Sequence, residues 1–270
     1  MNRRHFLLAG AALGLVGARA AAAPARFSVE TRGRGPDVIL IPGLTAGREV
    51  WRATADAVPG YRYHLVQVAG FAGEPARGNG AGPVVAPLAD ELARYIAENR
   101  LQRPAIIGHS MGGTLAMMVA ARHPGLAGRI MVVDMLPQAA DLFGGSASLA
   151  DRLGDFIGTP GGRRLFGAFM TAFSPPGAVN SLSDPDVVAR ATAELMRTDL
   201  TAQLPRIRAA MTVVYAAPDP QVRAAIDRQF ARAYAGARHA RLVRIDNSGH
   251  MVMLDQPARF RAALRAFLAR

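Results

Sequence analysis

The 270-residue chain contains no cysteine and no lysine, so all 32 of its basic residues are arginine. Without cysteine it cannot form disulfides, thiolate metal sites, iron–sulfur clusters or a cysteine nucleophile. Without lysine it cannot form Schiff bases with pyridoxal phosphate or carbonyl substrates, and it lacks the lysine of a nucleotide-binding P-loop. The 50% hydrophobic and 19% charged content nevertheless indicates a folded domain with a sizeable core.

Aromatic residues are also scarce, at 6% of the chain with a single tryptophan. The net charge of +12 is therefore not accompanied by the stacking side chains that nucleic-acid-binding proteins use. The arginines are scattered along the chain instead of clustering on one segment. We expect no nucleic-acid partner.

Residues 1–25 have the features of an export signal. A charged start precedes an apolar run from Phe6 to Ala18, which is shorter than the roughly 20 residues of a membrane span, and small residues follow it. Arg3 and Arg4 followed by His5-Phe6-Leu7-Leu8 resemble a twin-arginine signal, the alternative being an ordinary secretory signal. Cleavage within residues 20–25 would leave a periplasmic or secreted protein without a stable membrane anchor.

Residues 26–270 alternate between short apolar β-rich runs and helical patterns. This alternation predicts an α/β domain with a mostly parallel, doubly wound sheet flanked by helices. An antiparallel edge strand is expected near the start of the domain. The predicted strands are Phe27–Thr31, Val38–Ile41, His64–Val68, Ala105–Ile107, Ile130–Val133, Thr212–Tyr215 and Leu242–Ile245, and the predicted helices are Val84–Asn99, Met111–Arg122, Pro220–Tyr234 and Pro257–Ala269.

Residues 137–205 interrupt this alternation, because they form a much longer connection than two neighbouring elements usually need. The segment contains several phenylalanine and methionine side chains, which argue against disorder. We expect an inserted helical cap over the carboxyl edge of the sheet.

Residues 108–112 read Gly-His-Ser-Met-Gly and match the pattern G-x-S-x-G. The pattern follows a predicted strand and opens a predicted helix, which is the context that a nucleophile elbow requires. A sharp turn there needs residues without a Cβ two positions before and two positions after the serine, and Gly108 and Gly112 meet that need. Ser110 is therefore the predicted nucleophile.

A serine hydroxyl needs a base, and the base needs an orienting carboxylate. His250 lies just after the last predicted strand, where the carboxyl edge of the sheet would bring it beside Ser110. Asp219, in the loop after another buried strand, is the predicted acid. Asp134, which follows the preceding strand, is the competing candidate.

An oxyanion in the transition state would need backbone N–H donors. Met111 supplies one as the residue after the nucleophile. The loop after the first central strand contains Gly43, which permits tight backbone geometry, and Leu44, whose N–H is the predicted second donor.

Together these motifs, in the chain order Ser…Asp…His, resemble the α/β-hydrolase fold superfamily over essentially all of residues 27–270. Pro42 stands where the family usually has the histidine of its oxyanion loop, and residues 69–73 lack the aspartate that often precedes Gly-x-Gly in relatives. The family's dehalogenases and epoxide hydrolases carry aspartate at the elbow, so Ser110 argues against those activities. The resemblance implies a serine hydrolase without cofactor or metal.

The leading hypothesis is hydrolysis of a small-molecule carboxylic ester through an acyl-enzyme. An amidase or proline-releasing aminopeptidase could use the same triad, and would need a cap carboxylate to bind the substrate amine. Perhydrolase or haloperoxidase-like chemistry shares the triad as well, and a catalytically silent binding protein is the alternative from outside the enzymes. The carboxylates available in the cap are Asp141, Asp151, Asp155, Asp184, Asp186 and Glu194.

Overall fold

The computed structural model describes residues 25–142, Thr159 and residues 182–269. The export signal predicted at residues 1–25 lies, except for Ala25, outside the described residues. The aromatic centre of the cap predicted at residues 137–205 also lies outside them. No helix in the described ranges is long and apolar enough to cross a membrane.

Seven strands form one sheet in the order β1-β3-β2-β4-β5-β6-β7. The edge strand β1 pairs antiparallel with β3, and every other neighbouring pair is parallel. This arrangement confirms the predicted mostly parallel sheet with an antiparallel edge strand. The strands are β1 (Phe27–Gly33), β2 (Asp37–Ile41), β3 (Arg62–Val68), β4 (Ala105–His109), β5 (Arg129–Val133), β6 (Ala210–Ala217) and β7 (Arg241–Asp246).

Helices connect the parallel strands and cover both faces of the sheet, as the sequence pattern predicts. Two of them, α1 and the short α7, were not predicted from sequence, whereas α4 and α5 lie in the segment predicted to be helical. The α-helices are α1 (Glu49–Ala57), α2 (Val85–Glu98), α3 (Met111–Arg122), α4 (Ala139–Leu142), α5 (Pro185–Arg197), α6 (Arg223–Ala233), α7 (Val252–Asp255) and α8 (Pro257–Leu268).

The apolar core has two parts, one on each face of the sheet. On one face, α2, α3 and α5 pack against residues such as Ile39 and Ile106. On the other face, α1 and α8 bring Trp51 and Phe260 together with their ring centroids 5.9 Å apart. Burial on both faces explains why the central strands are continuous apolar runs.

The insertion between β5 and β6 is helical at both described ends, with α4 at its start and α5 near its finish. The start of α5 follows from local sequence. Asp184 accepts hydrogen bonds from the backbone N–H groups of Asp186 and Val187, and Pro185 occupies the first helical position.

Glu194, on α5, joins the insertion to the main domain. One of its carboxylate oxygens accepts hydrogen bonds from the N–H groups of Val84 and Val85, both at 2.8 Å, and the other accepts from Ala86 at 2.7 Å. These N–H groups belong to the start of α2, whose N-cap residue, Val84, provides no capping side chain. A carboxylate at the positive end of a helix thus replaces the missing cap.

Replacing Glu194 with alanine is expected to lower the free energy of unfolding by about 2 kcal/mol, because three helix N–H groups lose a charged acceptor. Glu194→Gln should cost less, since its amide oxygen can still accept. Chemical denaturation monitored by circular dichroism measures both. The matched control is Glu98→Ala at the exposed C-terminal end of the same helix, and an equal loss in that control would contradict the capping role.

Candidate active site

Ser110 lies between the last residue of β4, His109, and the first residue of α3, Met111. Its backbone has φ 52° and ψ −121°, a conformation that non-glycine residues rarely adopt. The N–H of Ser110 donates to the carbonyl of Val133 at the end of β5, at 2.9 Å. Neighbouring structure thus holds a strained strand-to-helix turn, which is typical of functional sites.

The glycines around Ser110 are required by close backbone contacts. A Cβ placed on Gly108 would lie 2.0 Å from the carbonyl oxygen of Gly112. A Cβ on Gly112 would lie 2.4 Å from the carbonyl oxygen of Ile41, at the end of β2. Since either side chain would displace backbone, the two glycines are fixed by the sharpness of the turn, as the sequence motif predicts.

Asp134 follows β5 directly and contacts His250. Its Oδ2 lies 2.7 Å from Nδ1 of His250, and its Oδ1 accepts a hydrogen bond from the N–H of Ala216 at 2.9 Å. The Asp134 side chain is only 8% exposed, and its backbone has a φ of 50°. Its own N–H donates to the carbonyl of Val214 at 2.7 Å, so the residue is still held by the neighbouring strand β6.

The prediction that Asp219 is the carboxylate that contacts His250 is corrected by this geometry. Asp219 lies two residues beyond β6 in an exposed turn, where its Oδ1 accepts the N–H of Gln221 at 2.7 Å. Its carboxylate therefore caps a local turn. The competing candidate, Asp134, occupies the position beside the histidine.

His250 lies in the connection between β7 and α7, as expected, and its side chain is 41% exposed. The centroid of its ring is 4.5 Å from that of His109, the residue immediately before Ser110. His250 and Ser110 therefore belong to the same small region at the carboxyl edge of the sheet. The structure thus brings Asp134 into contact with His250, and places His250 against the residue that precedes Ser110.

Tyr234 stabilises the turn after Asp134 through a hydrogen bond. The Tyr234 hydroxyl donates to the carbonyl of Met135 at 2.7 Å. Burial raises the pKa of the Tyr234 hydroxyl well above its usual value, with a further contribution from the negative charge of Asp134. The hydroxyl therefore stays protonated and available as a donor.

The two predicted oxyanion donors, Leu44 and Met111, lie on segments that approach Ser110. A Cβ on Gly43 would be 3.1 Å from the Cβ of Ser110, so the loop after β2 passes directly beside the serine. Within the described ranges, the backbone N–H groups of Leu44 and Met111 donate none of the hydrogen bonds found in turns, loops and caps. Neither N–H group is therefore used by a turn, loop or cap hydrogen bond in the part of the chain that the structure describes.

Among the described residues, no group of three or more histidine, cysteine, aspartate or glutamate side chains is placed to hold a metal ion. Sequence reasoning missed two residues of the site, His109 and Tyr234. His109 lay inside the recognised motif but at a position that the motif leaves open. Tyr234 gave no local signal, since it lies 99 residues from the carbonyl that it contacts.

Residues 38–263 match the sequence profile of the Alpha/beta hydrolase family. Among curated proteins, the chain is similar to the pimeloyl-[acyl-carrier protein] methyl ester esterase of Aeromonas hydrophila, with 35% identity over 98 residues. That match covers 36% of this chain and 37% of the relative, so it spans little more than a third of the relative's length.

Solved structures resemble the chain over most of its length. The enol-lactonase from Burkholderia xenovorans superposes with a TM-score of 0.72 at 18% identity, covering 90% of this chain and 96% of the other. A thermophilic esterase from Thermogutta terrifontis gives a TM-score of 0.70 at 21% identity, covering 90% and 93%. At these identities the likeness establishes a common fold.

Proposed function

Because the chain belongs to the alpha/beta hydrolase family, we propose that it hydrolyses carboxylic esters with Ser110 as nucleophile, His250 as base and Asp134 as orienting acid. The observation that carries the proposal is the 2.7 Å contact between His250 Nδ1 and Asp134 Oδ2, beside a serine in a strained strand-to-helix turn. The esterase and lactonase names among similar proteins support ester chemistry.

The roles of the three residues follow from donor and acceptor chemistry. Asp134 Oδ2 accepts a hydrogen bond from the N–H at His250 Nδ1, so the proton stays on Nδ1 and Nε2 is the nitrogen that takes the proton of Ser110. Ser110 Oγ then attacks the ester carbonyl carbon. The protonated His250 returns its proton to the leaving alcohol, and the acyl group remains on Ser110.

Water completes the cycle by the same route. The oxygen of a water molecule attacks the acyl carbon while His250 takes a proton from that water. Ser110 recovers the proton from His250 when the carboxylic acid is released. The N–H groups of Leu44 and Met111 would stabilise the negative oxygen that forms in both steps. Removing one such donor typically costs about 10²- to 10³-fold in turnover.

The amidase alternative would need a free carboxylate in the insertion to bind the substrate amine. Asp184 is occupied in capping α5, and both oxygens of Glu194 are occupied at the start of α2. Asp151 and Asp155 lie outside the described residues. These contacts exclude Asp184 and Glu194 as groups that bind a substrate amine.

Export through residues 1–25 is part of the proposal and rests on the sequence alone. The insertion at residues 137–205 is proposed to cover the substrate, because it begins just after β5 at the edge that carries Asp134. An apolar acyl or alcohol group would suit the phenylalanine and methionine side chains of that segment.

The test is a substrate panel on the mature protein. We expect hydrolysis of p-nitrophenyl esters and negligible hydrolysis of aminoacyl anilides, together with covalent labelling of Ser110 by a fluorophosphonate. Faster cleavage of the anilides would favour the amidase. Absence of both turnover and labelling would favour a silent binding protein.

A further inference from the structure

His109 is a buried histidine that the proposed reaction does not use. It is the last residue of β4 and only 2% exposed. A Cβ on Gly43 would lie 2.8 Å from Nδ1 of His109, so one edge of the ring touches the loop that carries Leu44. The other ring nitrogen, Nε2, lies 2.9 Å from the backbone carbonyl oxygen of His250. The ring thus lies between two segments of the site.

Hydrogen bonding defines the protonation of this ring. A carbonyl oxygen can only accept, so Nε2 of His109 must carry the proton. Nδ1 is buried and has no hydrogen-bond partner in the part of the chain that the structure describes. A proton placed on Nδ1 would therefore be an unsatisfied buried donor, and in the doubly protonated ring an unpaired buried charge.

Electrostatics act in the same direction. Burial is the main cause that holds the pKa of His109 well below its usual value, and the charge of the neighbouring His250 is the second cause. Of the described titratable groups, His250 is the one whose charge acts on His109. His109 can consequently stay neutral while His250 becomes positively charged during turnover.

The contact matters because the carbonyl belongs to His250 itself. His250 lies in a connection where Asn247 and Gly249 are exposed, and its own side chain is 41% exposed. Asp134 holds the imidazole at Nδ1, and His109 holds the backbone of the same residue. Two fixed points on one residue define where the remaining nitrogen, Nε2, can lie.

We propose that His109 is a positioning residue for ester hydrolysis: its neutral ring, protonated at Nε2, holds the main chain of His250 so that the imidazole stays aligned with Ser110. This inference rests on the proposed function. The competing view is that His109 only fills space between β4 and its surroundings.

Two variants separate these views. His109→Leu keeps apolar bulk and removes the donor, whereas His109→Gln can place an amide N–H where Nε2 lies. For a p-nitrophenyl ester we expect the leucine variant to lose about 10²-fold in kcat, as small misplacements of reacting groups do, with KM nearly unchanged. The glutamine variant should recover most of the loss at a comparable melting temperature.

Near-native kcat in the leucine variant would overturn the proposal. An equal loss of kcat in the leucine and glutamine variants, at equal melting temperatures, would also overturn it. In that case the N–H donor that only glutamine supplies would have no effect.

A second measurement does not depend on turnover. In protein labelled with ¹⁵N-histidine, NMR should show His109 protonated at Nε2 and not at Nδ1, with no titration near the ordinary histidine value, because burial depresses its pKa. A proton on Nδ1, or titration near the ordinary histidine value, would refute the assignment. If the wild-type protein hydrolyses no ester and takes up no fluorophosphonate, the proposed function fails, while the NMR result still decides whether His109 holds His250.

Discussion

Replacing Ser110 with alanine is expected to lower the rate of ester hydrolysis by about 10⁴-fold or more, because the acyl-enzyme can no longer form. The residual rate would come from the oxyanion donors and from substrate binding. Steady-state hydrolysis of a p-nitrophenyl ester measures the loss, and mass spectrometry after fluorophosphonate treatment identifies the labelled peptide. Alanine also relieves little of the backbone strain at φ 52°, so the fold should persist.

The matched control is Ser28→Ala on the edge strand β1, which removes a hydroxyl far along the sheet order from β4 and β5. That variant should retain wild-type turnover and labelling. Turnover near the wild-type rate in Ser110→Ala, or labelling that persists in that variant, would eliminate Ser110 as the nucleophile.

Replacing Asp134 with asparagine should cost about 10⁴-fold in kcat, the magnitude found when the orienting carboxylate of a serine triad becomes an amide. The contacts of Asp134 explain why. An asparagine would keep its oxygen on the N–H of Ala216, which turns its NH₂ group toward His250 Nδ1. Two donors would then face each other, and His250 would be driven to the tautomer that cannot take the serine proton.

Asp219→Asn is the natural comparison, since both residues follow a buried strand. Its amide oxygen can still accept the N–H of Gln221, so we expect less than about a threefold change in kcat. Parallel kinetics on the two variants, with melting temperatures measured for both, decide between the carboxylates. If Asp219→Asn were the more damaging substitution, Asp134 would be excluded as the orienting acid.

The two aspartates also show where the sequence was insufficient. The order of strands in the sheet does not identify the acid. Asp134 follows β5, Asp219 follows β6 and His250 follows β7, and β6 lies between the other two strands, so sheet order alone would favour Asp219. The backbone N–H of Asp134 still donates to β6. Asp219 lies two residues beyond the end of β6, where its carboxylate accepts the N–H of Gln221. Such details of a loop are decided by backbone conformation and not by apolar periodicity.

The strands, four of the main helices and the sharp turn at Ser110 could be predicted because their causes are local. Strands buried on both faces require continuous apolar runs, and a turn as sharp as that at Ser110 requires glycine at positions 108 and 112. The order of motifs then placed Ser110 and His250 at the same edge of a parallel sheet. Membership of the alpha/beta hydrolase family over residues 38–263 supports the predicted fold.

The tertiary structure alone decided which side chains meet across long separations. Asp134 contacts His250 over 116 residues, His109 contacts the carbonyl of His250 over 141, and Glu194 caps the start of α2 over 110. Each contact depends on how loops from different strand ends pack and on which polar groups are already satisfied nearby. The sequence by itself determined the strands, four of the main helices and the sharp turn at Ser110, because those depend on spacing and glycine. The partners of His250 were determined by folding, because only packing brings distant polar groups within hydrogen-bond distance.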